Sequence, residues 1–222
     1  TWKAGWPMIG FEGNFGRAPR TWFKPGTQLG NYKAGEKPLS EPHGPYNRSD
    51  NFDGKQLGRI WQWNHNPEDS HWSLDEHKGW LTLKPMPADS LKNCRNMLAQ
   101  KVVGYKSEST TLLRAEGNCR AGLFCIGKWF HGIGIGPEGI YVEDGKEKRI
   151  IKRGKIKKLW LRVSNDCVRN EHQLYYSVDG KRFTAVESPF PMRWGYWKGI
   201  RVGVYCYGES GKAEFDFFNQ TF

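Results

Sequence analysis

Carboxylate and histidine side chains are the groups in this chain that could hydrolyse a bond or hold a metal ion. Glycosidic hydrolysis needs two carboxylates about 5 to 10 Å apart, but acidic residues such as Glu138, Glu143 and Asp144 lie in turns or polar strand positions. The six histidines form neither HxH nor HExxH, and no GxSxG motif marks a nucleophilic serine. The sequence therefore predicts no catalytic residue and no zinc site.

Aspartates give a weaker signal, for a structural calcium ion. In "FDFF", Asp216 alternates with Phe215 and Phe217, so it should face away from them. Oxygen ligands suit Ca²⁺, and an acidic residue near the first strand, Asp50 or Asp53, could complete the site. A simple polar position at a strand edge is the alternative. We take Asp53 and Asp216 as candidate calcium ligands and predict no other cofactor.

Aromatic residues carry the strongest signal for a binding function. The segment "FPMRWGYWKG", residues 190–199, places Trp194, Tyr196 and Trp197 in a glycine-interrupted loop. These rings pack on another domain, bind the face of a sugar, or cover this domain's own core. In "WQWNHNP", residues 61–67, strand alternation puts both tryptophans toward the core and both Gln62 and Asn64 on the opposite face.

Basic residues exceed acidic ones, with a net charge of +11. Eight of the thirteen residues in "KEKRIIKRGKIKK", residues 146–158, are basic. This run predicts the solvated face of a hairpin, with acidic glycans or nucleic acid as alternative partners. Nucleic acid is disfavoured because no recognised nucleic-acid motif accompanies the charge. "GIGIGP", residues 132–137, is read as strand rather than a phosphate loop, since no helix follows it.

The elements that must position these residues are strands. Glycine and proline are frequent, at 27 and 12 residues, and short alternating runs are separated by turn signals, of which Asp179-Gly180 is the clearest. Roughly eleven to thirteen strands with almost no helix predict an all-β, two-sheet antiparallel sandwich. The five cysteines show no CxxC pair, and we expect Cys125 and Cys206 to be core residues.

Strand alternation also assigns faces in the run "GIRVGVYCYG". Val202 and Val204 share one face, while Arg201 and Tyr205 share the other with Tyr207. The second face carries rings and an arginine, which suits a ligand surface better than a merely solvated one. No apolar segment is long enough to span a membrane and no hydrophobic signal region opens the chain. We expect a soluble protein, secreted or periplasmic, and a piece of something longer.

The string "LGRIWQWNHNPEDSHWSLDEHKGWLTLKP", residues 57–85, resembles the C-terminal β-sandwich module of family 43 glycoside hydrolases, the β-xylosidases and α-L-arabinofuranosidases. The resemblance continues through "NMLAQKVVG", "RAGLFCIGKW", "YYSVDGKRF" and "GIRVGVYCYGESGKAEFDFF". It implies a concanavalin A-like jelly roll over residues 50–222. "WKAGWPMIG" resembles the end of that family's catalytic propeller, so residues 1–30 are predicted as its tail and residues 31–49 as a linker.

The resemblance also implies a function. The catalytic carboxylates lie on the propeller, so this module would bind xylan or arabinoxylan, close the parent enzyme's pocket through Trp197 in "WKGIRVG", or serve only as a docking module for the propeller. A polyanion-binding domain is the more distant alternative. The candidate sugar-binding residues are Gln62, Asn64, Arg95, Gln100, Trp129, Trp197, Arg201 and Tyr205.

Overall fold

The computed structural model describes residues 47–145, 147–195 and 198–222, together with the backbone of four two-residue strands nearer the N-terminus. The chain divides into two units, Thr1–Tyr46 and Asn47–Phe222. In the first unit, β1 pairs with β2 and β3 with β4, both antiparallel; their bounds are Trp2–Lys3, Trp6–Pro7, Gly10–Phe11 and Asn14–Phe15. The division into residues 1–30, 31–49 and 50–222 stays our proposal.

The second unit consists of two antiparallel sheets, each with seven strands in the described part of the chain. The strands are β5 (Gln62–Trp63), β6 (Trp72–Ser73), β7 (Leu81–Leu83), β8 (Met97–Lys101), β9 (Lys106–Glu116), β10 (Cys119–Ile126), β11 (Phe130–Gly136), β12 (Gly139–Glu143), β13 (Lys148–Arg153), β14 (Lys158–Asp166), β15 (Glu171–Ser177), β16 (Thr184–Pro191), β17 (Arg201–Gly208) and β18 (Lys212–Thr221). Sheet A has the order β13-β12-β11-β10-β17-β8-β5, and sheet B the order β16-β15-β14-β9-β18-β7-β6. The sandwich prediction is therefore confirmed.

The main core lies between the sheets and follows the predicted alternation. Val202, Val204 and Cys206 of β17 are fully buried there. Trp61 is 8% exposed and Trp63 packs against the same cluster, so both tryptophans face the core as predicted. The indole of Trp61 donates a hydrogen bond from Nε1 to Asp50 Oδ2 (2.8 Å). The N–H group of the ring is therefore hydrogen-bonded, while the rest of the ring stabilises the fold by burying apolar area.

A second apolar cluster covers the outer face of sheet A. It contains Tyr141, Tyr205 and Tyr207 under Leu91, which lies in a short 3-10 helix, Leu91–Asn93. The helix is held down by the buried carboxylate of Glu143, which accepts hydrogen bonds from the Leu91 N–H (2.6 Å) and the Tyr207 hydroxyl (2.7 Å). Among the described residues, the centre of this outer face is therefore closed.

Two sequence motifs have the predicted local structure. "GIGIGP" forms most of β11, where Gly134 is required because a Cβ at this position would lie 1.9 Å from the Ala121 carbonyl oxygen of β10. At the predicted hairpin, Gly180 has φ of 73°. The Asp179 carboxylate accepts hydrogen bonds from the backbone N–H groups of Arg182 and Lys181. These hydrogen bonds lower the pKa of Asp179 to about 2.

The basic run forms a sheet edge. β13 pairs with β12 and is the outermost strand of sheet A, and Lys152 and Arg153 are exposed on it. Ile151 packs on the main core and the neighbouring Ile150 on the outer cluster, so both faces of β13 are partly covered, and the interpretation of the whole run as a solvated hairpin face stays a prediction. Charged side chains on an edge strand also oppose pairing with another chain.

Cysteine, calcium and membrane predictions have different outcomes. All five cysteines are free, and Cys125 and Cys206 are buried as predicted.

No group of three or more His, Cys, Asp or Glu side chains among the described residues is arranged for a metal, so the calcium ligands stay a prediction. Asp53 is exposed and Asp216 partly buried. A bulge after Phe215 leaves residue 217 partly exposed as well. Within the described ranges, no helix could cross a membrane.

Candidate functional site

Two of the predicted binding residues meet at one end of the outer face of sheet A. Arg201, the first residue of β17, donates from Nη1 to Asn64 Oδ1 (2.7 Å), which follows β5. Arg201 is 7% exposed, its Nε has no hydrogen-bond partner, and burial lowers its pKa. No acidic side chain of the described residues forms a salt bridge with it. A buried guanidinium without a carboxylate is energetically unusual.

Further cations surround this pair. Lys198 donates from Nζ to the Asn64 carbonyl oxygen (3.4 Å). Burial, followed by the charges of Lys198, Arg95 and Arg201, lowers the pKa of His65. Arg95 itself donates to the Asn66 carbonyl oxygen (3.4 Å) and lies 3.6 Å from Glu68. The local field is therefore positive, which favours a partner group that is anionic.

Gln62 is an exposed residue of the same outer face. It lies opposite Ala99, which belongs to the outer cluster. Gln62 therefore lies on the face that the alternation of "WQWN" predicted, and its role in sugar binding stays a prediction.

Gln100 and Tyr205 are placed in the interior. Gln100 lies opposite the core residue Val202 and is fully buried; its amide donates to the Arg48 carbonyl oxygen (3.0 Å) and accepts from Arg48 Nε (3.2 Å). Tyr205 has the predicted face but is fully buried, and its hydroxyl lies 2.7 Å from that of Tyr141. Burial raises the pKa of Tyr205 well above its usual range. A sugar-binding role for either residue stays a prediction, and no exposed surface supports it.

Trp129 lies in the turn between β10 and β11 and is 36% exposed. The turn is fixed to the segment after β16, because the Lys128 N–H donates to the Arg193 carbonyl oxygen (2.8 Å). The Arg193 guanidinium carbon lies 5.1 Å from the centre of the Trp129 ring, a cation–π arrangement. Trp194 beside it is 78% exposed. Trp197 and Tyr196 lie outside the described residues, so the predicted role of Trp197 stays a prediction.

A cavity of about 520 Å³ opens beside Trp129. Its described lining residues come from four separate parts of the chain: Lys92, Lys128, Trp129, Phe130, His131, Asp144, Gly145, Phe190 and Pro191. His131 lines this cavity and lies between the sheets beside His172, with ring centres 4.8 Å apart, and both rings contact Phe190.

These two histidines are buried without adequate partners. His131 is 5% exposed and its Nδ1 has no hydrogen-bond partner, and His172 is 2% exposed with neither ring nitrogen bonded. Burial lowers the pKa of His131 to about 4 and that of His172 to about 3. Both rings are therefore neutral at neutral pH.

Sequence reasoning did not identify Arg193, Lys128 or His131 as site residues. Lys128 and Trp129 are adjacent in "GKWFH", and this motif could have predicted a turn that presents a basic and an aromatic side chain together. The sequence could not predict that Arg193 and Phe190 lie close to Trp129 and His131. Their position depends on the end of β16, in the other sheet, lying beside the β10–β11 turn.

Comparison with known families identifies the domain. The model of the "Beta xylosidase C-terminal Concanavalin A-like domain" of glycoside hydrolase family 43 matches residues 49–221. The chain belongs to this family. The resemblance stated from the sequence is thereby confirmed.

Two curated relatives agree with the family assignment. A protein of Xylanibacter ruminicola named "Putative beta-xylosidase" is 48% identical over 205 residues, which cover 91% of this chain and 37% of that protein. A "Beta-xylosidase" of Formosa agariphila is 28% identical over 260 aligned positions, covering all of this chain and 41% of that protein. The family 43 chain thus spans about two fifths of the length of these relatives.

Solved structures show the same fold. A bifunctional family 43 protein of Bacteroides eggerthii matches with a TM-score of 0.71 at 24% identity, over 78% of this chain and 27% of its own. A xylan β-1,4-xylosidase of Bacillus halodurans matches with a TM-score of 0.70 at 18% identity, over 84% of this chain and 41% of its own. At these identities the likeness supports the fold of the family 43 domain alone.

Proposed function

We propose that this chain is the non-catalytic C-terminal domain of a β-xylosidase-type enzyme and that it helps to close the catalytic pocket of a preceding propeller domain. The observation that carries the proposal is Arg201, a buried guanidinium bonded to Asn64 and without a carboxylate among the described residues. A charge removed from water in this way gains most from an acidic group on a docking surface. Lys198 and Arg95 extend the positive field around it.

The aromatic loop gives the proposal its second part. β17 begins at Arg201, directly after the loop that contains the exposed Trp194. We propose that Trp197 in this loop reaches toward the catalytic pocket and narrows it, as the family resemblance implies. A ring in that position would exclude water from one side of a sugar, which raises the strength of polar contacts inside the pocket.

A chimera tests the pocket-closing function. The 222-residue chain replaces the matching part of the Xylanibacter ruminicola relative, and hydrolysis of 4-nitrophenyl β-xyloside is measured. We expect the chimera to be active and Trp197→Ala to lower kcat/KM by roughly tenfold, from lost positioning of the sugar. Trp160→Ala is the matched control, because this partly exposed ring lies on the outer face of sheet B, between the core residues Leu159 and Leu161, and it should leave the rate unchanged. Equal rates for the chimera and for the catalytic part alone would contradict the proposal.

A second function, binding of xylan or arabinoxylan, is supported by a different observation. Trp129 presents part of an indole at the mouth of a 520 Å³ cavity, and such half-exposed rings beside polar groups suit the apolar face of a sugar. Affinity electrophoresis of the chain in gels containing neutral xylan tests this function. Retardation that is insensitive to salt supports it; retardation that disappears with salt indicates polyanion binding instead.

A further inference from the structure

The cavity beside Trp129 combines an aromatic wall, a buried polar floor and two cations. We infer that it binds a sugar residue that carries a carboxylate, such as a uronic acid side group on a xylan-type chain. This inference rests on the proposed glycan-binding function and specifies its ligand. The cavity volume of about 520 Å³ lies within the range of roughly 300–1,000 Å³ that is usual for small-ligand pockets.

The aromatic wall is held in place before any ligand arrives. Trp129 is fixed by its turn, in which the Gly127 N–H donates to the Trp129 carbonyl oxygen (2.9 Å). Arg193 lies over the ring and limits its rotation. A ring ordered in advance loses little side-chain entropy on binding, so the part of Trp129 that Arg193 leaves exposed provides a ready surface for a pyranose.

The floor supplies a polar atom that the protein itself leaves unsatisfied. His131 lines the cavity, is 5% exposed, and has no partner for Nδ1. Its pKa of about 4, lowered by burial, keeps the ring neutral near pH 7, so it can bind a hydroxyl through hydrogen bonds without adding charge. Because Nδ1 is buried, a ligand hydroxyl reaches it only when the ring turns toward the cavity, and the bond formed would then replace the hydrogen bond that the folded domain lacks.

The rim supplies the preference for an anion. Lys92 and Lys128 line the cavity, are exposed and form no salt bridge with a described residue, and Arg193, which lies over Trp129, adds a third positive charge nearby. Asp144 is the acidic residue of the described lining, and its Oδ1 already accepts the Glu147 N–H (3.1 Å). The rim is therefore net positive, and a ligand carboxylate that pairs with either lysine gains a charge-assisted hydrogen bond.

Isothermal titration of the 222-residue chain tests the inference with two matched ligands, xylotetraose and xylotetraose bearing one glucuronic acid. We expect the acidic ligand to bind roughly threefold to tenfold more tightly at low salt, as expected for one or two partly solvated charge pairs, and the difference to shrink at higher salt. The double substitution Lys92→Gln and Lys128→Gln should remove this difference and leave binding of xylotetraose unchanged. Trp129→Ala should weaken both ligands about tenfold.

The control is the double substitution Lys155→Gln and Lys157→Gln, which removes the same charge from exposed positions outside the cavity. It should leave both affinities as they were. Equal affinity for the two ligands would overturn the acidic preference while the glycan-binding function stands. Binding of neither ligand would overturn both. The preference for the acidic ligand should persist in the Lys155 and Lys157 control and disappear in the Lys92 and Lys128 variant. The opposite result in either variant would overturn the placement of the site in this cavity.

Discussion

The histidine pair between the sheets makes the stability of the domain depend on pH. His131 and His172 are neutral in the folded protein, with pKa values lowered by burial to about 4 and about 3 from the usual 6.5. The unfolded chain takes up protons near 6.5, whereas the folded protein does so only near 4 and 3. The free energy of unfolding therefore falls as the pH falls from 6.5, because the unfolded state binds more protons throughout this range.

The size of the effect follows from the two pKa values of each ring. At pH 5, a group that titrates at 6.5 unfolded and at 3 folded lowers the free energy of unfolding by about 2 kcal/mol relative to pH 8. A folded value of 4 gives nearly the same figure, so the pair contributes up to about 4 kcal/mol. This is a large part of the stability of an ordinary domain, roughly 5–15 kcal/mol.

The substitution His172→Leu isolates half of this effect. Leucine keeps the apolar contact with Phe190 and removes two ring nitrogens that have no partner. We expect its stability at pH 8 to equal or exceed that of the original chain, and the loss between pH 8 and pH 5 to be smaller by about 2 kcal/mol. Urea unfolding followed by tryptophan fluorescence at both pH values measures this difference.

The matched control is His71→Gln, since the His71 ring is partly exposed and its Nδ1 lies 3.0 Å from the Ser70 hydroxyl oxygen. Acidic groups elsewhere contribute to both variants equally and cancel in the comparison. An unchanged pH dependence in His172→Leu would refute the reasoning, since it would mean that the buried ring is protonated or solvated in the folded protein.

Three further outcomes are expected from urea unfolding at pH 7. Glu143→Gln should lower stability by roughly 1–3 kcal/mol, because an amide cannot accept both the Leu91 N–H and the Tyr207 hydroxyl as the carboxylate does; an unaffected midpoint would contradict this. Gly134→Ala should lower it by several kcal/mol, about 3 or more, through the clash with β10, and a mild effect would show that the strands can separate. Arg201→Met should leave the free energy of unfolding unchanged or raise it by about 1 kcal/mol, since it removes a buried charge that has no carboxylate partner among the described residues. A fall of more than about 1 kcal/mol in the free energy of unfolding would indicate that the domain already compensates the charge.

Strand alternation was sufficient to predict the fold and the faces of its strands. In β17, the period of two separated Val202 and Val204 from Arg201 and Tyr205, and the structure has the same division. The prediction succeeds because neighbouring side chains of a strand must point to opposite sides. The Asp179-Gly180 hairpin was equally local, since its geometry depends on hydrogen bonds within a few residues.

Exposure, in contrast, could not be predicted from alternation. Tyr205 has the predicted face and is nevertheless buried, because the segment around Leu91 folds over that face. Gln100 is buried because Arg48, 52 residues away in sequence, satisfies its amide. Both outcomes depend on contacts distant in sequence, and a strand pattern contains no information on what covers it.

The unpaired charges of this domain have different meanings depending on their burial. A chain with a net charge of +11 must leave cations without acidic partners, so an exposed lysine such as Lys155 requires no explanation. Arg201 differs because its guanidinium has lost most of its hydration and gained a single described partner, Asn64. The His131 ring has likewise lost water without a replacement for Nδ1. Both groups lie at the end of sheet A where β10 ends and β17 begins. Each has lost hydration that the described residues do not replace, and for this physical reason we place the binding partners of the domain at this end.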